Sequence, residues 1–71
     1  ENELNISVQS SVPVDMQATL FDISGRVVIA ETFNEVMSQS VTLDVSNESQ
    51  GVYFLEVIID GQKSTTKVIK D

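Results

Sequence analysis

The stretch GVYFLEVII at residues 51–59, the dipeptide Asp60-Gly61 and the stretch QKSTTKVI at residues 62–69 decide the fold. β-branched and aromatic residues fill the first stretch, as is typical of a strand. Asp-Gly between two such stretches is one of the strongest signals of a two-residue type I′ hairpin turn, which needs positive φ at both positions. With that dipeptide as the turn, Ile59 pairs with Gln62, and this pair sets the register of the whole hairpin.

That register sorts the side chains of the hairpin onto two faces, because side chains alternate along a strand. One face carries no charge and is predicted to face the core; its members are Tyr53, Leu55, Val57, Ser64, Thr66 and Val68. The opposite face mixes apolar and charged residues, namely Val52, Phe54, Glu56, Ile58, Lys63, Thr65, Lys67 and Ile69. We expect a functional surface on this mixed face.

Alternating apolar and polar residues predict four further strands before the hairpin, at residues 4–8, 16–21, 26–31 and 41–45. Pro13 follows the first strand and cannot donate to a ladder. Asp22-Ile23-Ser24-Gly25 suits a type I turn followed by a left-handed glycine. Residues 32–40 have partly helical spacing but are short, and we predict a loop there, with the third strand continuing at most to Phe33.

Six to seven short strands without a helix predict an all-β fold, an Ig-like antiparallel β-sandwich that forms a single domain over residues 1–71. The predicted core consists of Leu4, Ile6, Met16, Ala18, Leu20, Val28, Val41, Leu43, Tyr53, Leu55, Val57 and Val68. Because Glu1 already lies in a strand-like pattern, we expect the chain to be part of a longer protein. Unpaired strand edges also predict that the isolated domain forms a homodimer by strand exchange.

Composition restricts the chemistry of this chain of 71 residues, which has neither cysteine nor histidine. Zinc sites of the usual Cys/His kinds and Ser-His or Cys-His nucleophile pairs are therefore excluded. The formal net charge of −7 argues against nucleic acid and against an anionic membrane surface as partners. No apolar run approaches the ~20 residues of a membrane-spanning helix. We predict no catalytic residues, no metal and no cofactor.

Three acidic residues, Asp22, Asp44 and Glu48, border predicted turns. They are not spaced as in a calcium-binding loop, and local turn capping is the favoured interpretation. A carboxylate pair that hydrolyses a glycosidic bond is disfavoured, because the chain has no tryptophan to hold a sugar. Tyr53 is predicted to lie in the core, with its hydroxyl group meeting a partner at the end of the sheet.

Three of the four basic residues, Lys63, Lys67 and Lys70, fall in the last nine positions. Lys63 and Lys67 flank the position opposite Glu56 on the mixed face. One interpretation is cross-strand pairing with Glu56 and protection of an edge strand. The other is recognition of a partner through these lysines together with Phe54 and Ile58, since an apolar stripe with basic flanks suits docking. The residues leave both open.

Three blocks of the sequence resemble a known family. Residues 20–28, LFDISGRVV, resemble its "LYDLTGRLV" block, and LDVS at 43–46 with QGVYFL at 50–55 resembles its "LDLS…SGVYFL" block. Residues 61–70 are similar to its closing "G…K…KIV" segment. The family is the type A C-terminal sorting domain of the type IX secretion system of Bacteroidetes. The family's "NPF/PNP" opening lies before Glu1 or is missing, and Asn2-Glu3-Leu4 resembles the residues just after that opening.

The resemblance implies a seven-stranded sandwich at the end of a larger cargo protein, and a secretion signal rather than an enzyme. It implies passage across the inner membrane, transit through the periplasm, and recognition by the outer-membrane translocon. A cell-surface sortase-like protease would then remove the domain upstream of its first strand, leaving the cargo at the cell surface or released. The motif residues carried over are Gly25, Arg26, Gly51, Tyr53, Lys63 and Lys67.

A different class of function is also consistent with the residues. A small sandwich of this kind could be an accessory Ig-like or fibronectin-like module that spaces domains or binds carbohydrate or protein. A carbohydrate module would ordinarily expose Trp or Tyr, and the only candidate here is Tyr53, which is predicted to be buried.

Overall fold

The computed structural model describes residues 3–71, and within them the chain forms six strands in two antiparallel sheets. The strands are β1 (Glu3–Val8), β2 (Val14–Asp22), β3 (Val27–Val36), β4 (Gln39–Asp44), β5 (Gly51–Ile59) and β6 (Gln62–Lys70). One sheet has the order β3-β2-β5-β6 and the other pairs β1 with β4. The predicted all-β sandwich of six to seven strands is confirmed, with six strands in the described range. Glu1 and Asn2 lie outside that range. The strand-like pattern expected at Glu1 and the family resemblance at Asn2 therefore fall outside the described residues.

The β5–β6 hairpin has the predicted register, with Ile59 opposite Gln62 and Tyr53 opposite Val68. The two turn residues have positive φ, 52° at Asp60 and 78° at Gly61. Positive φ at both central positions defines the type I′ turn, whose twist matches that of the flanking strands. A local dipeptide therefore fixes which side chains of β5 and β6 share a face.

The two sheets bury their facing side chains between them. The buried apolar residues are Val8, Met16, Ala18, Leu20, Val36, Val41, Leu43, Val45, Tyr53 and Leu55. Seven of the predicted core residues are in this set, whereas Leu4, Ile6, Val28, Val57 and Val68 are half-buried and pack against it. Val8, Val36 and Val45 were not predicted, because each lies at or beyond the edge of its alternating pattern.

The prediction that the whole uncharged face of the hairpin is buried is wrong for Ser64 and Thr66, which are exposed. They lie on the core side of β6, but the opposing sheet has only two strands and does not cover them. An open groove of about 370 Å³ results, and residues of β1, β5 and β6 line it. Pairing predicts the side of a sheet on which a residue lies, and the width of the opposing sheet determines whether that side is buried.

The predicted loop over residues 32–40 is also wrong, since β3 continues to Val36 and β4 begins at Gln39. The helix-like spacing has a different cause. The register of β2 against β3 shifts between Val14 and Met16, and Glu35 adopts a left-handed φ of 56°. An extra residue in one strand reverses the alternation, so residues three apart can face the same side. Phe33 and Val36 both pack against the core for this reason.

Candidate functional site

The predicted recognition residues come together on the outer face of the β5–β6 hairpin. Phe54 lies opposite Lys67 and Ile58 lies opposite Lys63, with Glu56 between the two pairs. Side chains of paired residues project to the same side of a sheet. Lys63 and Lys67 are four positions apart on one strand, so their Cα atoms are separated by about 13 Å.

The two lysines differ in their contacts. Lys63 Nζ lies 3.7 Å from Glu56 Oε2, as expected for cross-strand pairing. An exposed pair of this length contributes at most ~1 kcal/mol to stability. Lys67 is exposed and forms no ion pair or side-chain hydrogen bond within residues 3–71. Cross-strand pairing is therefore observed for Lys63, whereas residues 3–71 provide no charged partner for Lys67.

Strands β2 and β3 extend this outer face. Phe21 of β2 lies opposite Phe54 on one side and opposite Val27 of β3 on the other. Ile69 of β6 lies on the same side, two positions from Lys67. We call Phe21, Val27, Phe54 and Ile69 the outer patch. Phe21 shares the outer side with Gln17 and Thr19 by simple alternation, a signal that was visible in the sequence, but its proximity to Phe54 depends on which strands are neighbours.

The turn that carries the first family block is built around Asp22. Its carboxylate oxygen Oδ1 accepts hydrogen bonds from the Ser24 amide at 3.0 Å, the Ser24 hydroxyl at 2.7 Å and the Arg26 amide at 2.9 Å. Arg26 Nε donates to Oδ2 at 3.2 Å. Gly25 donates its amide to the Asp22 carbonyl at 2.9 Å and has φ of 91°, as predicted for the residue after a type I turn. Gly25 and Arg26 thus have structural roles.

The loop between β4 and β5, residues 45–50, is held by side chains of the last hairpin. The Tyr53 hydroxyl donates to the Ser49 carbonyl at 2.6 Å, which confirms the predicted partner at the end of the sheet. Lys70 Nζ donates to the carbonyls of Val45, at 2.7 Å, and Glu48. Sequence reasoning missed this role of Lys70, although the hairpin register already placed Lys70 opposite Gly51 on the core side.

The carboxylates at the turns act as caps. The Asp44 carboxylate accepts the Ser46 amide at 2.9 Å, and Ser46 lowers the pKa of Asp44 below its ordinary value of 3.8. The Ser24 hydroxyl and the Arg26 amide similarly lower the pKa of Asp22. Glu48 contributes through its backbone instead, donating its amide to the Val45 carbonyl at 3.1 Å. Within residues 3–71 there is no cluster of three or more acidic residues that could hold a metal ion.

The largely enclosed space at this end of the sandwich is small. A cavity of about 10 Å³ lies between Leu4, Leu20, Tyr53 and Lys70, among other residues. This volume admits one water molecule at most. Tyr53 is buried and its hydroxyl is engaged, so it offers no platform for a sugar.

The part of the chain that the structure describes contains no helix long and apolar enough to cross a membrane. No curated protein and no solved structure matches the chain. The family model of the secretion system C-terminal sorting domain matches residues 1–71, the whole chain. The blocks that this family shares with the chain form the Asp22 turn, the β4–β5 loop and the last hairpin of a six-stranded sandwich. The chain therefore belongs to the C-terminal sorting domains of the type IX secretion system, which is a family of sorting signals and not of enzymes.

Proposed function

We propose that this domain is the signal by which the type IX translocon selects one cargo protein, joined to the N-terminal side of the domain, for export to the cell surface or the medium. The observation that carries the proposal is the family match over the whole chain. The cargo crosses the inner membrane by its own signal peptide, and the folded sandwich is presented to the translocon from the periplasm. The proposed contact surface consists of Lys63, Lys67, Phe54 and Ile58. Their common position on the outer face of the last hairpin supports this assignment.

A fusion protein tests the sorting role. A secreted reporter is placed behind a signal peptide and in front of residues 1–71, and surface and medium fractions are assayed in a type IX-competent cell. The reporter is expected outside the outer membrane only when the domain is present and the translocon is intact. Equal external reporter with and without the domain, or in a translocon-deficient strain, contradicts the proposal.

We further propose that a sortase-like protease at the cell surface removes the domain upstream of β1. Cleavage there leaves the sandwich intact, because β1 pairs with β4 and supplies half-buried Leu4 and Ile6 to the core. Mass spectrometry of the exported reporter is expected to find a new C-terminus before residue 3. A reporter that keeps the whole domain outside the cell contradicts this step.

The isolated domain is also proposed to form a homodimer by strand exchange. β1 lies in a sheet of only two strands, so one of its edges has unpaired backbone groups, and the open groove lies beside it. Such edges favour pairing with another chain. Light scattering of the purified domain at rising concentration should show a dimer, and a constant monomer mass contradicts the proposal.

A further inference from the structure

The outer patch is an exposed apolar cluster in an otherwise acidic domain. Val27, Phe54 and Ile69 are 51%, 37% and 59% exposed, and half-buried Phe21 joins the first two across the sheet. One row of paired residues crosses the four strands of the sheet: Val27, Phe21, Phe54 and Lys67. At the usual strand spacing this row is about 14 Å long. Water-exposed apolar side chains that are contiguous on a sheet face mark interaction surfaces more often than isolated ones do.

The charge of this face differs from that of the chain as a whole. On the outer side of β2, β5 and β6 the charged residues are Asp15, Glu56, Lys63 and Lys67, which sum to zero, whereas the chain carries −7. Glu56 is engaged by Lys63, and Asp15 accepts the Glu35 amide. Lys67 is left as an exposed cation at the end of the apolar row. An approaching carboxylate would meet attraction here and repulsion from the acidic remainder of the domain.

We propose that the outer patch docks an exposed apolar side chain of a partner protein and that Lys67 pairs with a carboxylate beside that side chain. This inference rests on the proposed sorting function and adds the outer patch to its contact surface, with Lys67 as the cation that pairs with the partner. An apolar anchor with an adjacent charge pair suits such a face, because the apolar contact supplies affinity and the charge sets orientation and association rate. A protein partner is favoured over an anionic lipid, which the net charge of −7 would repel.

The test uses the reporter fusion and matched variants. The double variant Phe54→Thr with Ile69→Thr removes apolar surface from the patch. As a control, Ile23→Thr removes a more exposed isoleucine that belongs to the Asp22 turn and is not a member of the patch. Lys67→Glu reverses the charge at this position, whereas Lys67→Arg keeps it. We expect external reporter to fall at least tenfold for the double variant and for Lys67→Glu. Ile23→Thr and Lys67→Arg should stay within twofold of the unaltered domain. The thermal midpoint of each variant is measured as well, so that a folding defect is distinguished from a lost contact.

The outcomes separate the two proposals. If the unaltered fusion is not exported, the sorting function fails and this inference fails with it. If the unaltered fusion is exported and the double variant or Lys67→Glu matches it, the sorting function stands and the outer patch is overturned as the contact. Binding of the purified domain to phosphatidylglycerol vesicles that Phe54→Thr abolishes would overturn the protein partner in favour of lipid. A dimer in sedimentation that the double variant, but not Ile23→Thr, dissociates would overturn it in favour of a second copy.

Discussion

Replacing Lys70 by methionine should destabilise the domain by about 1.5 kcal/mol. The ammonium group donates hydrogen bonds to the carbonyls of Val45 and Glu48 and so joins the end of β6 to the β4–β5 loop. A hydrogen bond from a charged donor contributes ~1.5–3 kcal/mol. We take the lower value of this range as the total for both hydrogen bonds, because the loop is largely exposed and water can solvate the freed carbonyls. Methionine keeps a long unbranched side chain while removing the donor.

Lys67→Met is the matched control, since Lys67 lies three positions away on the same strand and has no ion pair or side-chain hydrogen bond within residues 3–71. An exposed substitution of that kind changes stability by no more than ~0.5 kcal/mol. With a urea m value of about 1 kcal/mol per molar, Lys70→Met should lower the unfolding midpoint by about 1.5 M and Lys67→Met by at most ~0.5 M. The Glu48 amide should also exchange with deuterium faster in Lys70→Met. Equal midpoints for the two variants would refute the loop-clamping role of Lys70.

Three further predictions concern the same end of the sandwich. Gly25→Val and Gly51→Val should each destabilise the domain by ~1 kcal/mol or more, because their φ values of 91° and 152° strain a residue with a side chain. No atom would obstruct an added Cβ, so backbone strain is the expected cause, and unchanged denaturation midpoints would contradict it. Tyr53→Phe should cost ~1 kcal/mol through the lost hydrogen bond to the loop, measured by urea unfolding, and a neutral result would mean that water replaces it. The lowered pKa of Asp22 means that its contribution to stability is fully present above the ordinary value of 3.8 and is lost as pH falls through the folded value. Acid titrations of stability should therefore fall less steeply below pH 3.8 in Asp22→Asn, and identical curves would show that its hydrogen bonds do not favour the carboxylate.

Local signals predicted the parts of the fold that local chemistry controls. The Asp60-Gly61 turn sets a register within one hairpin, and the Asp22 turn is closed by its own carboxylate. The extent of β3 could not be predicted in this way, because the bulge at Glu35 exists only where β3 pairs with β2. A spacing that indicates a helix in isolation is produced here by a strand with one extra residue.

The part of the candidate site that lies within one hairpin could be predicted from the sequence. Phe54, Ile58 and the two lysines belong to one hairpin, so its register was enough to group them. Phe21 joins them only because β2 is the neighbour of β5, a pairing between strands about thirty residues apart. The difference between the two lysines could not be predicted from the register, because Glu56 is equidistant in register from both and its side chain contacts Lys63.

Four of the six family-motif residues are poor indicators of where a partner binds. Gly25, Arg26, Gly51 and Tyr53 each have a place in a turn or loop contact, so none of them needs to touch the translocon in order to be required for export. A variant at any of these positions that fails to be exported reports a folding defect until its stability has been measured. Lys67 and Ile69 differ from these four residues, because both are exposed and their replacement leaves the described contacts of the sandwich intact. An export defect there, at unchanged stability, would report a lost contact. Recognition can therefore be separated from folding at Lys67 and Ile69, and it cannot be separated at the four motif residues that hold turns and loops.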